Sequence, residues 1–167
     1  MNRIGVCPGT FDPITNGHLD IVSRSLKFFD TVIVAVALNP LKTPLFDIKE
    51  RLDMIVDSTN GWTNVQVEAF DGLLVDYLKR KGAHGIIRGL RAVSDFEYEL
   101  QMAMMNRHLD QTVETLFLMP SVEYSFLTST IIKTVASYGG DVDGLVPPSV
   151  ARHLREKFPS TGDRNAR

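Results

Sequence analysis

Pro8-Gly9-Thr10-Phe11-Asp12-Pro13-Ile14-Thr15-Asn16-Gly17-His18 is the stretch whose reading decides the fold. The apolar run Ile4 to Cys7 leads into it, and a helical pattern beginning near Asn16 leads out. Its two prolines and two glycines exclude regular helix or strand between them, which leaves a fixed turn from a strand end to a helix start. A helix N-terminus has unpaired N–H groups and a partial positive charge, so it suits a phosphate. His18, near the first turn, offers a ring N–H to such an anion, and Thr10 offers a hydroxyl opposite. The same residues also fit a plain proline- and glycine-rich connection carrying a surface histidine, because phosphate loops usually hold more glycine.

Outward from this turn the chain alternates between two periods. Leu19, Val22, Leu26 and Phe29 recur at helical spacing through residues 16–29. Thr31 to Ala37 is a β-branched run without polar alternation, as expected of a strand buried on both faces of a parallel sheet. Asp47 and Glu50 have the spacing of a capping box, and the helix after them should bury Ile48, Leu52, Ile55 and Val56. Val65–Phe70 alternates as a strand, and Leu73–Lys81 reads as a helix closed by Gly82. Gly85–Arg88 is a fourth strand, and Thr115–Met119 a fifth. Between them a helix capped by Ser94 or Asp95 runs to about Leu109. The segment Ser121–Thr130 enters a helix ended by Gly139-Gly140, and Pro147-Pro148 precedes a last helix, Ser149–Phe158. The fold predicted is α/β: a doubly wound, Rossmann-like, five-stranded parallel sheet with helices on both faces and a C-terminal helix.

Composition narrows the classes of function. The 167 residues are 44% hydrophobic and 23% charged, which predicts one domain over 1–158 followed by a polar, frayed tail over 159–167. A net charge of -2 argues against nucleic acid as the default partner. Cys7 is the only cysteine, so no intramolecular disulfide and no cysteine metal cluster can form, and a buried inert thiol is expected. No leader pattern or membrane-spanning apolar run is visible, and a cytoplasmic location is expected.

In a doubly wound sheet, ligands bind beyond the carboxyl ends of the strands where strand order reverses. Thr10, His18, Lys42, Asp71, Arg88, Arg91 and the segment Tyr124–Thr130 all follow strands and so share one rim. Four cationic or potentially cationic groups, His18, Lys42, Arg88 and Arg91, with several hydroxyls point to more than one phosphate. Arg88 equally fits a structural ion pair with Asp95 or Glu99, and Lys133 fits a solvated helix lysine. No Ser-His-Asp arrangement, metal-ligand cluster or Walker-type loop can be assembled. A reaction between phosphates needs none of them. A phosphate monoester is largely dianionic at neutral pH, so it attacks without a base once it is aligned and its charge is neutralised.

The motifs also carry a resemblance. Residues 8–18, with the Gly17-His18 pair, resemble the HxGH-type signature of the nucleotidyltransferases that share a fold with class I aminoacyl-tRNA synthetases. Leu127-Thr128-Ser129-Thr130-Ile131-Ile132-Lys133 resembles their second, serine-rich motif. Ile87–Arg91, Asp95–Glu99, Met105–His108 and the spacing of Lys42 narrow the resemblance to the bacterial phosphopantetheine adenylyltransferases, from about residue 3 to 158.

That resemblance implies transfer of the adenylyl group of ATP to 4′-phosphopantetheine, giving dephospho-coenzyme A and pyrophosphate in coenzyme A synthesis. It implies Mg²⁺ carried with ATP and not by protein side chains, a homohexamer, and coenzyme A as feedback inhibitor. His18 would be the transition-state stabiliser, with Lys42 and Arg91 as further catalytic groups. Thr10, Lys42, Leu74 and Arg88 would hold phosphopantetheine. Thr10, Phe11, His18, Gly89, Leu90, Arg91 and Glu99 would hold ATP, together with Tyr124, Ser125, Phe126, Leu127, Thr128, Ser129 and Thr130. Two positions depart from the pattern: Thr128-Ser129-Thr130 replaces a run of three serines, and Thr134 stands where many relatives have glutamate. Another phosphomonoester acceptor, such as nicotinamide mononucleotide, and a nucleotide-binding regulatory module without transfer are the competing readings. The Met-rich helix that ends near Leu109 fits either a subunit contact or plain core.

Overall fold

The computed structural model describes residues 2–38, 43–91 and 93–159. Its elements follow in the order β1 (Ile4–Gly9), α1 (Asn16–Ser25), β2 (Thr31–Ala37), α2 (Ile48–Ser58), β3 (Val65–Phe70), α3 (Leu74–Lys81), β4 (Gly85–Gly89), α4 (Val93–Leu109), β5 (Glu114–Leu118), α5 (Ser129–Ser137) and α6 (Pro148–Lys157). The five strands are parallel and lie in the order β3-β2-β1-β4-β5. From β1 the chain builds outward to β3 on one side, then returns to build β4 and β5 on the other. The reversal between β1 and β4 is where such a sheet opens a binding crevice.

Burial of the central strands on both faces explains their unbroken apolar runs. Val32, Val34 and Ile87 belong to a core completed by α1, α2, α5 and α6, through residues such as Val22, Ile55, Ile132 and Leu154. Their strand neighbours Ile33, Ala35 and Ile86 point the other way, into a second core closed by Val75, Tyr77 and Leu78 of α3. Each fully buried branched side chain contributes about 1.5–3 kcal/mol relative to exposure. Helix α4 packs against α3 and β5 on the side of the sheet that ends in β5.

Four expectations change, the first being that α4 begins at Val93, which puts Ser94 and Asp95 inside the helix and not at its cap. Pro8 and Gly9 belong to β1, where they pair with Ala35 and Val36 of β2. On the other side, β1 and β4 pair only through Gly5–Gly85 and Val6–Ile86. Beyond that point the Arg88 side chain takes the Pro8 carbonyl at 2.6 Å. A strand residue's N–H and C=O face the same way, so the N–H that proline lacks would face a gap and forgoes no ladder bond. Helix α1 ends at Ser25, four residues before Phe29. Helix α2 buries Arg51, Met54 and Ile55, while Val56 is exposed. The buried face is turned because Arg51 reaches inward to donate to the Thr10 carbonyl at 2.9 Å.

Other local signals act as expected. Asp47 and Glu50 form the reciprocal capping box of α2, at 2.8 and 2.9 Å. Gly82 takes the left-handed conformation after α3, with φ of 59°. Among the described residues no helix is long and apolar enough to cross a membrane. The expected tail beyond Pro159 and the loop position Lys42 lie outside the described residues.

Candidate active site

A cavity of about 850 Å³ opens at the carboxyl ends of β1 and β4, where strand order reverses. It is lined by the turn after β1, the end of β4 with its following loop, residues of α4, and the segment that enters α5. Thr10, Phe11, His18, Arg88, Gly89, Arg91, Glu99, Tyr124, Leu127, Thr128, Ser129 and Thr130 all contribute to its wall. Four expected site residues stand elsewhere. Leu74 packs beside the second core, the Leu90 N–H bonds to the Leu118 carbonyl, the Ser125 hydroxyl donates to the Val122 carbonyl, and Phe126 is exposed.

Thr15 caps α1, accepting the His18 backbone N–H at 3.4 Å. His18 fills the place that glutamate or glutamine usually takes in a capping box, accepting the Thr15 backbone N–H at Nδ1, 3.0 Å away. An N–H aimed at Nδ1 requires a lone pair there, so the ring proton resides on Nε2. Burial lowers the His18 pKa to about 4, and the charges of Arg91 and Arg88 push it the same way. The imidazole is therefore neutral at pH 7. Phe11 meets it edge-on at 5.2 Å between ring centroids.

Phe11 adopts a left-handed φ of 48°, a conformation that a bulky side chain rarely occupies. Asp12, next in the chain, anchors it. This buried carboxylate accepts the N–H groups of Leu45 and Phe46, both at 2.9 Å, and the Lys133 ammonium at 2.5 Å. Burial alone would raise its pKa, but Lys133 and the two backbone donors outweigh burial and hold it below the usual carboxylate value. Lys133 is thus no solvated lysine. It joins α5 to the turn after β1, and it lines the cavity. Gly9 leaves room for this turn, since a Cβ there would sit 2.9 Å from the Phe11 ring.

Arg88 takes the ion pair that its sequence left open, and its partner is Glu99. Nε donates to Oε2 at 2.7 Å and Nη2 to Oε1, while Nη1 holds Pro8. Of its five N–H groups, two remain for a ligand. Asp95 serves Arg91 instead, at 2.9 Å from Nε, and Arg91 Nη1 donates to the Leu127 carbonyl at 3.1 Å. Cys7 is buried, and burial pushes its thiol up to about 11, opposed by Arg88. It stays protonated.

The hydroxyl segment divides its duties. Thr128 caps α5 by accepting the Ile131 N–H at 3.0 Å, and Ser129 donates to the Pro13 carbonyl at 2.7 Å. Asp20 of α1 holds the segment upstream, accepting the Ser121 N–H at 2.8 Å and its hydroxyl at 3.0 Å. Gly17 permits the approach of α1, because a Cβ there would lie 3.3 Å from that of Tyr124. The Thr134 hydroxyl turns back to the Thr130 carbonyl at 3.0 Å.

The three carboxylates of the lining, Asp12, Asp95 and Glu99, are each paired with a cation of the chain. Among the described residues no group of three or more His, Cys, Asp or Glu is placed to hold a metal. What the wall presents is a fixed neutral imidazole donor, two guanidinium groups, an ammonium and a helix N-terminus carrying hydroxyls. Such a set is chemically suited to phosphates and needs no protein-held base to act on them.

Known proteins give this arrangement a family. The cytidylyltransferase-like family matches residues 6–135. The phosphopantetheine adenylyltransferase of Thermodesulfovibrio yellowstonii is 57% identical over 95% of this chain and 99% of its own. Those of Carboxydothermus hydrogenoformans and Syntrophotalea carbinolica are 55% and 57% identical, over 96% and 94% of this chain and 99% and 95% of theirs. A solved structure from Vibrio parahaemolyticus, assigned as a candidate nicotinate-nucleotide adenylyltransferase, shares the fold with a TM-score of 0.67. It is 18% identical and covers 96% of this chain and 98% of its own.

Proposed function

The chain belongs to the phosphopantetheine adenylyltransferase family of nucleotidyltransferases, and from that membership we propose that it transfers the adenylyl group of ATP to 4′-phosphopantetheine. The products are dephospho-coenzyme A and pyrophosphate, and the step belongs to cytoplasmic coenzyme A synthesis. The observation that carries the mechanism is the convergence of neutral His18, Arg88, Arg91 and Lys133 on one cavity beside the Thr128–Thr130 hydroxyls.

The acceptor phosphate attacks the α-phosphorus in line, one P–O bond forming as the bond to the pyrophosphate oxygen breaks, with no covalent enzyme intermediate. The dianionic acceptor needs no base. His18 donates its Nε2–H to the α-phosphate, whose charge grows in the transition state, and remains neutral throughout. Thr10 and Phe11 flank the reacting phosphates. Arg88, with its two remaining N–H groups, holds the acceptor phosphate, and Lys42 completes the phosphopantetheine site. ATP lies along Gly89, Arg91, Glu99, Tyr124 and Leu127–Thr130, Arg91 neutralising leaving-group charge. Mg²⁺ supplies charge neutralisation as part of the bound nucleotide, which fits a wall whose carboxylates already have partners.

The reading extends to a homohexamer and to coenzyme A as an inhibitor occupying the same cavity. Helix α4 supports subunit contact: Tyr98, Met104 and Met105 are 62%, 65% and 53% exposed, with Phe96, Leu100 and Met102 also exposed. The proposed reaction is tested with ATP labelled at the α-phosphorus. The label is expected in dephospho-coenzyme A, with no exchange of labelled pyrophosphate into ATP when acceptor is absent. Exchange without acceptor would establish a covalent adenylyl-enzyme instead.

A further inference from the structure

Resting on His18 as the donor to the α-phosphate, we propose that Thr15 is a positioning residue whose hydroxyl, beside its own backbone N–H, locks His18 in the Nε2–H tautomer. Thr15 is 1% exposed, so solvent cannot take over its hydrogen bonds. Its Oγ1 lies 3.4 Å from the His18 backbone nitrogen and 3.0 Å from His18 Nδ1. Because Nδ1 already accepts the Thr15 backbone N–H, it has no proton to give the hydroxyl, which therefore accepts the His18 backbone N–H and turns its single proton toward Nδ1. Nδ1 then faces two donors, the hydroxyl and the Thr15 N–H at 3.0 Å. No proton fits on that nitrogen.

The consequence falls on the opposite side of the ring. With Nδ1 closed to protons, the neutral ring must carry its hydrogen on Nε2, the only form that donates to a phosphate oxygen. The alternative tautomer would present a lone pair to the phosphate and repel it. Charged groups facing the ring act in the same sense: Arg88 at the end of β4 and Arg91 in the next loop both oppose a second proton. Phe11 meets the ring edge-on, and the neighbouring Asp12 is committed to Lys133. A capping box thus serves as a tautomer clamp. Glutamate at the His18 position would cap the helix equally well, so the histidine marks a second task for the box.

The helix-capping and tautomer roles separate by substitution. Thr15→Ser keeps the hydroxyl, Thr15→Val removes it, and Thr15→Asp keeps a strong cap while its side chain offers Nδ1 only acceptors, leaving the backbone N–H as the one donor there. Nitrogen-resolved NMR of His18 in the free protein reads the tautomer without any turnover. The parent and Thr15→Ser are expected to show the proton on Nε2, Thr15→Val a smaller Nε2–H share because the backbone N–H alone then holds Nδ1, and Thr15→Asp a shift toward Nδ1, where the carboxylate competes with that N–H. Turnover should follow: kcat of Thr15→Ser within about twofold of the parent, and kcat of Thr15→Val down about three- to tenfold with both KM values within about twofold, the worth of one hydrogen bond. A Thr15→Asp protein that keeps the Nε2–H signature overturns the proposal. If that variant does not fold, Thr15→Val with the parent's signature and kcat overturns it equally. Full activity of His18→Ala would refute the role given to His18, while the NMR result would still decide what Thr15 does to the ring.

Discussion

Asp12 and Lys133 stand 121 positions apart and meet at 2.5 Å in the cavity wall. With the Leu45 and Phe46 N–H groups on the same carboxylate, this contact joins the turn after β1, the approach to α2, and α5. Removing one partner of a buried pair leaves the other charge uncompensated, at a cost of about 3–5 kcal/mol. Asp12→Ala is expected to lose stability in that range by urea unfolding. Asp12→Asn combined with Lys133→Met should lose less than Asp12→Ala, because no charge is stranded.

The same carboxylate sets an acid limit. Its folded pKa lies below the ordinary 3.8, so between the two values the unfolded chain binds the extra proton and stability rises with pH. The Asp12 contribution is full above the ordinary value and is lost as pH falls through the folded one. Stability measured against pH should therefore fall more steeply at the acid end for the parent than for Asp12→Asn.

His18 gives a second, separate pH dependence. Its pKa falls from 6.5 to about 4 in the folded chain, so stabilisation is full above 6.5 and is lost as pH falls toward 4. NMR titration should find the ring neutral at pH 5.5. His18→Ala should lower kcat by about 10²–10³-fold, as removal of one transition-state donor does, with little change in KM for ATP.

How much of this was legible depended on where each physical cause lies. The strands, the Asp47–Glu50 box and the Gly82 cap rest on local pattern, and local pattern is what a sequence displays. Pro8 looked like a strand terminator because the parting of β1 from β4 is a tertiary fact. Val56 looked buried because the spacing of apolar residues conceals Arg51, whose inward turn depends on the Thr10 carbonyl far along the chain. At the site, the cations and hydroxyls could be placed on one rim from the order of strands and loops. Their partners could not: Glu99 for Arg88, Asp95 for Arg91 and Asp12 for Lys133 are choices made across elements. Asp12 went unnoticed as a hub, although a carboxylate between Phe11 and Pro13, followed by Ile14, was the available hint of a buried charge.

Arg88 cannot be replaced by lysine on this account. The planar fork serves Glu99 and Pro8 while leaving two N–H groups, and a lysine ammonium lacks both the fork and the donor count. Arg88→Lys is expected to raise KM for 4′-phosphopantetheine at least tenfold while KM for ATP changes less, measured with each substrate varied in turn.

Helix α4 carries the assembly prediction. Met104 and Met105 are too exposed to belong to the chain's own core. Met105→Glu should shift the mass found by light scattering from a multimer toward the single chain, with the fold retained by circular dichroism.

Pyrophosphate release from Mg-ATP, with 4′-phosphopantetheine, nicotinamide mononucleotide or no acceptor, tests the central claim most directly. Release with 4′-phosphopantetheine alone is the expected result, and it identifies reaction and acceptor together. Release with nicotinamide mononucleotide but not with 4′-phosphopantetheine would contradict the acceptor. Silence with every acceptor, despite measurable ATP binding, would contradict the transfer itself.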